Sequence, residues 1–181
     1  VKTRLIGTNG YEIGTSRHKT DLPTPDALAL HKIFYKMLQA GCEAVVMEVS
    51  SHALALHRTD GIRFDIAIFT NLTQDHLDFH GTIENYADAK KRMFDGLDAQ
   101  ATAVINVDDD YGEKMITDCA AKIMRCGVVH TREKEEEKPG LDVVARIFSY
   151  SINGTSAIID DGIHGMMHQF QTVGKFNMYN N

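Results

Sequence analysis

No apolar run in this sequence reaches the roughly 18 residues that a membrane-crossing helix needs. The N-terminus opens Val1-Lys2-Thr3 without Met, as expected of a cut fragment, so it carries no information on a leader; no internal repeat is visible. Cysteine is scarce. Cys42, Cys119 and Cys126 are odd in number, widely separated and without paired metal-ligand spacing. That pattern favours reduced thiols in a reducing compartment, so the expected location is cytoplasmic. Excess positive charge is also missing: 19 Lys and Arg stand against 25 Asp and Glu, a formal net charge of −6. This balance argues against nucleic acid or an anionic membrane as the main partner. It leaves room for an anionic nucleotide, which lysines, backbone N–H groups and Mg²⁺ can hold. A Gly-x-x-x-x-Gly-Lys-Ser/Thr phosphate loop occurs nowhere in the 181 residues.

What is present suits one compact domain. Hydrophobic residues make up 43% and charged residues 24% of the chain. Thr24-Pro25-Asp26 reads as a helix start, with Thr24 as N-cap, Pro at the first position and an acid in the first turn. Ala27, Leu30, Phe34, Met37 and Leu38 follow at helical spacing, and Gly41 closes the helix. Ala44-Val45-Val46-Met47 and Ile66-Ala67-Ile68-Phe69 read as strands buried on both faces. A helix capped by Thr82 is expected over 83–94, a strand at 103–105, a helix over 111–121 and a strand near 128–129. Alternating strands and helices imply an α/β fold with a mostly parallel sheet flanked by helices. The pattern changes after Thr131. A charged stretch at 133–138 leads to Pro139-Gly140, then to strands at 143–152 and 156–159 joined through Asn153-Gly154 and followed by Asp161-Gly162. The expected organisation is an α/β body over 1–131 with an antiparallel β appendage over 132–181.

In an open parallel sheet, ligands bind beyond the carboxyl ends of the strands. Three polar clusters fall at such ends: Glu48-Val49-Ser50-Ser51-His52, Thr70-Asn71-Leu72-Thr73-Gln74-Asp75-His76-Leu77-Asp78, and Asn106-Val107-Asp108-Asp109. A carboxylate and an imidazole at neighbouring strand ends suit one divalent cation beside phosphate oxygens. Each residue alone also has an ordinary reading. Glu48 and Lys90 can be solvated surface groups, His76 a satisfied structural side chain, and the acids at 108–110 a loop or helix cap.

Taken together, Glu48-Val49-Ser50-Ser51-His52, the segment from Thr70 to Asp78, and Tyr86-Ala87-Asp88-Ala89-Lys90 closely resemble the central domain of the Mur ligases. The ending Gly174-Lys175-Phe176-Asn177-Met178-Tyr179-Asn180 is similar to that family's Gly-x-Phe-Asn-x-x-Asn element. Leu5-Ile6-Gly7-Thr8-Asn9-Gly10-Tyr11 and Pro23-Thr24-Pro25-Asp26 look most like its MurE branch. The likeness runs along most of 5–131 and returns at 173–181. It implies a fold like that of the P-loop NTPases, with ATP and Mg²⁺ as cofactors and UDP-N-acetylmuramoyl-dipeptide and a diamino acid as substrates. It also implies roles. Glu48 and His76 match Mg²⁺-binding positions, and Lys90 a lysine that is carbamylated in most members. His76 and Lys90 are the catalytic candidates. Asn71 matches a position beside the adenine nucleotide. Thr24, Ser50 and Arg58 match contacts to the UDP-muramoyl-peptide, and an Arg fork suits a carboxylate or phosphate.

Two residues depart from the family pattern. Pro23 stands where a first Thr is common, and Leu56 where some members place Gln. In the family a phosphate loop lies shortly before the segment that opens this chain, with a UDP-binding domain before it and a further domain after the region matched here. The chain is therefore expected to be a truncated single central domain, inactive alone. Alternative readings are another member of the superfamily (MurF, MurC, a folylpolyglutamate synthase or cyanophycin synthetase), a non-catalytic scaffold, or a metal-dependent hydrolase.

Overall fold

A computed structural model describes residues 1–130, 140–151 and 154–171. The charged stretch at 133–138, Asn153 of the expected Asn-Gly turn and the closing element at 174–180 lie outside the described residues. The chain forms two compact units, Val1–Arg63 with His76–Arg92, and Phe64–Asp75 with Met93 onward.

In the first unit, β1 (Thr3–Gly7), β2 (Gly10–Ile13) and β3 (Ser16–His18) form an antiparallel meander. Thr8 and Asn9 make its first turn, and Gly10 opens β2 opposite Gly7. Gly10 has φ +97°, and a Cβ there would run into the His18 carbonyl, so the position requires glycine. After α1 (Ala27–Gln39), β4 (Ala44–Met47) returns in parallel beside β1, giving the order β3-β2-β1-β4. Leu30, Ile33 and Met37 line one face of α1 and pack against Ile6, with Tyr11, Phe34, Val45 and Met47 closing around them. Each such burial contributes about 1.5–3 kcal/mol.

The start of α1 differs from the expectation. Asp26, not Thr24, is the N-cap, and its Oδ1 accepts from the Ala29 N–H at 2.9 Å. Thr24 is fully buried and bonded across the fold instead. Gly41 does follow the helix end, at φ +75°. α2 (Ser51–Ala55), α3 (Leu77–His80) and α4 (Ile83–Asp95) carry the remaining candidates of this unit, which takes α4 as far as Arg92. Thr82 caps α4 as expected, its Oγ1 accepting from the Asn85 N–H at 3.1 Å.

The second unit holds a six-stranded sheet in the order β10-β9-β8-β7-β6-β5. β5 (Ile66–Phe69), β6 (Thr102–Asn106), β7 (Lys122–His130) and β8 (Val143–Ser151) are parallel neighbours. β9 (Gly154–Asp160) and β10 (Gly165–Phe170) then add antiparallel hairpins. The late strands thus continue the parallel sheet, because β8 pairs in parallel with β7. Val128, Ile147 and Ala157 form a core cluster across β7, β8 and β9. Phe69 of β5 meets Phe94 of α4 edge to face.

Two expectations change here. The helix expected over 111–121 is the single turn α5 (Gly112–Met115). The Thr117 hydroxyl bonds back to the carbonyls of Glu113 and Lys114, offering the backbone an alternative to helix. The strands at 44–47 and 66–69 are not buried on both faces. Ala67 and Phe69 are buried while Ile66 and Ile68 are about 60% exposed, and Val46 is 57% exposed.

Candidate functional site

β4 ends where Glu48 begins, and Glu48 is built into the first unit from two sides. Its Oε2 accepts from the N–H and the hydroxyl of Thr8, at 2.9 and 2.7 Å. Gly7 lies beneath the carboxyl group: a Cβ there would stand 2.7 Å from Cδ and 2.8 Å from Oε1 of Glu48. The missing side chain leaves the space this carboxylate occupies.

Thr24 ties the neighbouring candidates together. Its Oγ1 donates to the Glu48 carbonyl at 2.9 Å and accepts from the Ser50 N–H at 3.0 Å. Ser50 caps α2, its Oγ accepting from the Ala53 N–H at 3.2 Å. Arg58 sends Nη1 to the Thr24 carbonyl at 3.2 Å. Only that one of its five donors is bonded among the described residues, so the rest of the fork is available to an anion. Glu48, Ser50, Arg58 and Thr24 therefore form one hydrogen-bonded group, in which Thr24 is the buried brace.

A second group surrounds Tyr86. His76 stands at the entry to α3 with φ 55°, a left-handed conformation that a non-glycine side chain adopts at a cost of about 1–3 kcal/mol. Its ring meets Tyr86 edge-on, with centroids 6.0 Å apart, and that of His52 at 4.9 Å. One turn along α4, Lys90 places Nζ 5.2 Å from the Tyr86 ring centre. His76 and Lys90 thus share one aromatic neighbour. His80 is buried, and its pKa is lowered by burial first and then by the nearby His52 and His76, while Asp78 acts the other way. Burial thus favours the neutral ring.

Asn71 follows β5 in the second unit. Its loop is braced from the end of β6 and the turn that follows: Asn106 Nδ2 donates to the Thr70 carbonyl at 2.6 Å, and Asp109 Oδ2 accepts from the Leu72 N–H at 2.9 Å. Asp108 accepts from the Val128 N–H at 2.7 Å. Asp109 thus braces a loop and Asp108 ties to β7. β4 and β5 belong to different hydrogen-bonded sheets, so Glu48 and His76 do not come from neighbouring strands of one sheet.

Among the described residues, no three His, Cys, Asp or Glu side chains converge as a metal cage. Glu48 offers a carboxylate and His76 an imidazole. The third candidate, Lys90, offers only donors as an ammonium and becomes an oxygen ligand as a carbamate. This sparse, oxygen-leaning set suits Mg²⁺, which keeps several waters and takes phosphate oxygens. His80 and Ser51 were not singled out from the sequence; their partnership spans 29 residues and has no local signature.

The Mur ligase middle domain family matches residues 1–181. Curated relatives named UDP-N-acetylmuramoyl-L-alanyl-D-glutamate–2,6-diaminopimelate ligase include those of Parabacteroides distasonis, 42% identical over 99% of this chain and 34% of the relative, and Bacillus cereus, 38% identical over 99% and 36%. A solved structure of a ligase of that name superimposes with TM-score 0.81 and 29% identity over 99% of this chain and 35% of that one. MurF from Acinetobacter baumannii shares the fold at TM-score 0.69 and 15% identity. The chain spans about a third of the length of these relatives. The family match runs along the whole length, a relative is 42% identical over nearly all of it, and the chain belongs to the Mur ligase middle domain family.

Proposed function

We propose that the protein carrying this chain is an ATP-dependent ligase of the MurE type. It joins a diamino acid to UDP-N-acetylmuramoyl-L-alanyl-D-glutamate in peptidoglycan synthesis, through an acyl phosphate on the terminal carboxylate. The relatives' names favour 2,6-diaminopimelate over lysine as that amino acid. The observation that carries the reading is the braced group of Glu48, Ser50, Thr24 and Arg58 in the same compact unit as His76 and Lys90.

Phosphoryl transfer between two anions rests on positioning and charge neutralisation. Glu48, His76 and Lys90 as its carbamate would hold Mg²⁺, which offsets phosphate and carboxylate charge when bound. Thr8 and the space at Gly7 hold the Glu48 carboxylate in one orientation. Arg58 would pair with an anionic group of the muramoyl-peptide. Ser50 lies beside it, and Thr24, whose own hydroxyl is engaged, keeps both in place. Asn71 would contact the adenine nucleotide, on a loop fixed by Asn106 and Asp109. The cytoplasm is the compartment where these substrates and ATP meet. No helix among the described residues is long and apolar enough to cross a membrane.

The test is ADP release by the full-length protein, supplied with ATP, Mg²⁺, the UDP-muramoyl-dipeptide and diaminopimelate in turn. Release that needs both the dipeptide and the diamino acid supports the reading. Release that ignores the dipeptide, or that is satisfied by a folate, moves the protein to another branch.

A further inference from the structure

Through its ring and its backbone, His80 reaches all three segments bearing the candidate cation ligands. Its ring Nε2 lies 2.9 Å from Ser51 Oγ, a buried hydrogen bond to the segment that follows Glu48. A hydroxyl both donates and accepts, so either ring tautomer satisfies it. Its backbone N–H bonds to the His76 carbonyl at 3.0 Å. Its ring stacks on Tyr86, centroids 5.1 Å apart and planes 22° from parallel, and Tyr86 carries Lys90 on its face. The His80 carbonyl accepts from Asn85 Nδ2 at 2.9 Å, which fixes α3 to the first turn of α4.

We propose that His80 is a positioning residue, and that its bond to Ser51 and its stack on Tyr86 hold the segments of Glu48, His76 and Lys90 in the register that cation binding needs. This rests on the ligase reading above for its link to turnover. Groups that orient metal ligands without touching the metal change affinity or rate by roughly ten- to a hundredfold when removed. Two variants cut the same bond from opposite ends. Ser51→Ala removes the hydroxyl. His80→Phe removes the ring nitrogen and keeps a flat ring for Tyr86. His80→Gln restores a polar partner for Ser51 without the aromatic stack. His80→Ala removes both the bond and the stack.

The experiment uses the full-length protein, with thermal melting to establish that each variant folds. It reads kcat and KM for ATP-dependent ADP formation, and the ¹³C carbonyl signal of the Lys90 carbamate after equilibration with ¹³C-bicarbonate. The expected result is a roughly tenfold or larger fall in kcat for Ser51→Ala and for His80→Phe, with KM for the UDP-muramoyl-dipeptide little changed. The double variant should be no worse than either single one, because both remove one interaction. His80→Ala should be the most impaired, and His80→Gln should recover part of the loss relative to it. The carbamate signal should fall in step with kcat. The idea is overturned if the two single losses multiply in the double variant, or if both variants keep wild-type kcat and carbamate signal. If the wild type makes no ADP with these substrates, the ligase reading fails. The tie is then judged on the carbamate signal, which Ser51→Ala and His80→Phe must lower equally.

Discussion

Gly7→Ala separates stability from function at this site. A Cβ at residue 7 would stand 2.7 Å from Cδ of Glu48, whereas ordinary contact begins at 3.4 Å, so the carboxylate must retreat by about 0.7 Å or more. Nothing forces the backbone to move, because Gly7 has no left-handed φ and the obstacle is the end of a flexible side chain. The two hydrogen bonds from Thr8 weaken. Each is worth about 0.5–1.5 kcal/mol net, less for an exposed carboxylate that water can solvate. Alanine in a strand returns about 0.5–1 kcal/mol over glycine. The two effects nearly cancel, and stability should stay within about 1 kcal/mol of wild type, a change of a few degrees in Tm. Turnover is more sensitive, because misplacement by about 1 Å can lower a rate about a hundredfold. Thermal melting together with Mg²⁺-dependent ADP formation by the full-length protein checks both halves. A Gly7→Ala enzyme with wild-type kcat and Mg²⁺ dependence would refute the role given to Glu48. A variant that fails to fold would refute the packing argument.

Other parts of the structure give independent tests. Thr24→Val keeps the volume of a fully buried side chain and removes the oxygen that receives the Ser50 N–H; urea unfolding should show a loss of about 1–3 kcal/mol. Asp109→Ala strands the N–H groups of Leu72 and Tyr111, and amide exchange at Leu72 should quicken together with a stability loss of about 1–3 kcal/mol. The Glu113 carboxyl is held below its usual pKa, chiefly by a side-chain hydrogen bond from Arg125. A depressed carboxylate contributes stability above its unfolded pKa and loses it as pH falls through the folded value. Glu113→Gln should therefore cost at most about 1 kcal/mol at pH 7, since the pair is exposed, and nothing at a pH below that folded value. Burial raises the Cys126 thiol above its usual pKa, so mass spectrometry after iodoacetamide treatment near pH 8 should show it alkylated more slowly than an unhindered cysteine peptide.

Much of the α/β pattern was legible because it is local. The periodicity of α1, the Thr82 cap of α4 and the apolar runs of β4, β5 and β6 each lie within a few adjacent residues. The misplaced N-cap shows where locality ends. Thr24 and Asp26 are both good caps, and the choice was made by burial of Thr24 against Glu48 and Ser50, which no nearby residue announces. β1 to β3 are short and held by cross-strand pairing. Asn9-Gly10 and Gly14, at their two turns, were local signals that went unread as such. The candidate site residues were read as a family pattern. Their geometry was not, because Gly7 beneath Glu48 and Ser51 against His80 are contacts between residues 29 or more positions apart.

The central claim is that Lys90 serves the cation site as a carbamate. The most direct measurement is ADP formation by the full-length protein carrying Lys90→Ala, with and without a short-chain carboxylate such as acetate. A carboxylate bound in the vacated space can replace the lost oxygen ligand. The account predicts that Lys90→Ala is nearly inactive with the UDP-muramoyl-dipeptide and diamino acid, and that acetate restores part of the activity. Wild-type activity in Lys90→Ala would contradict it.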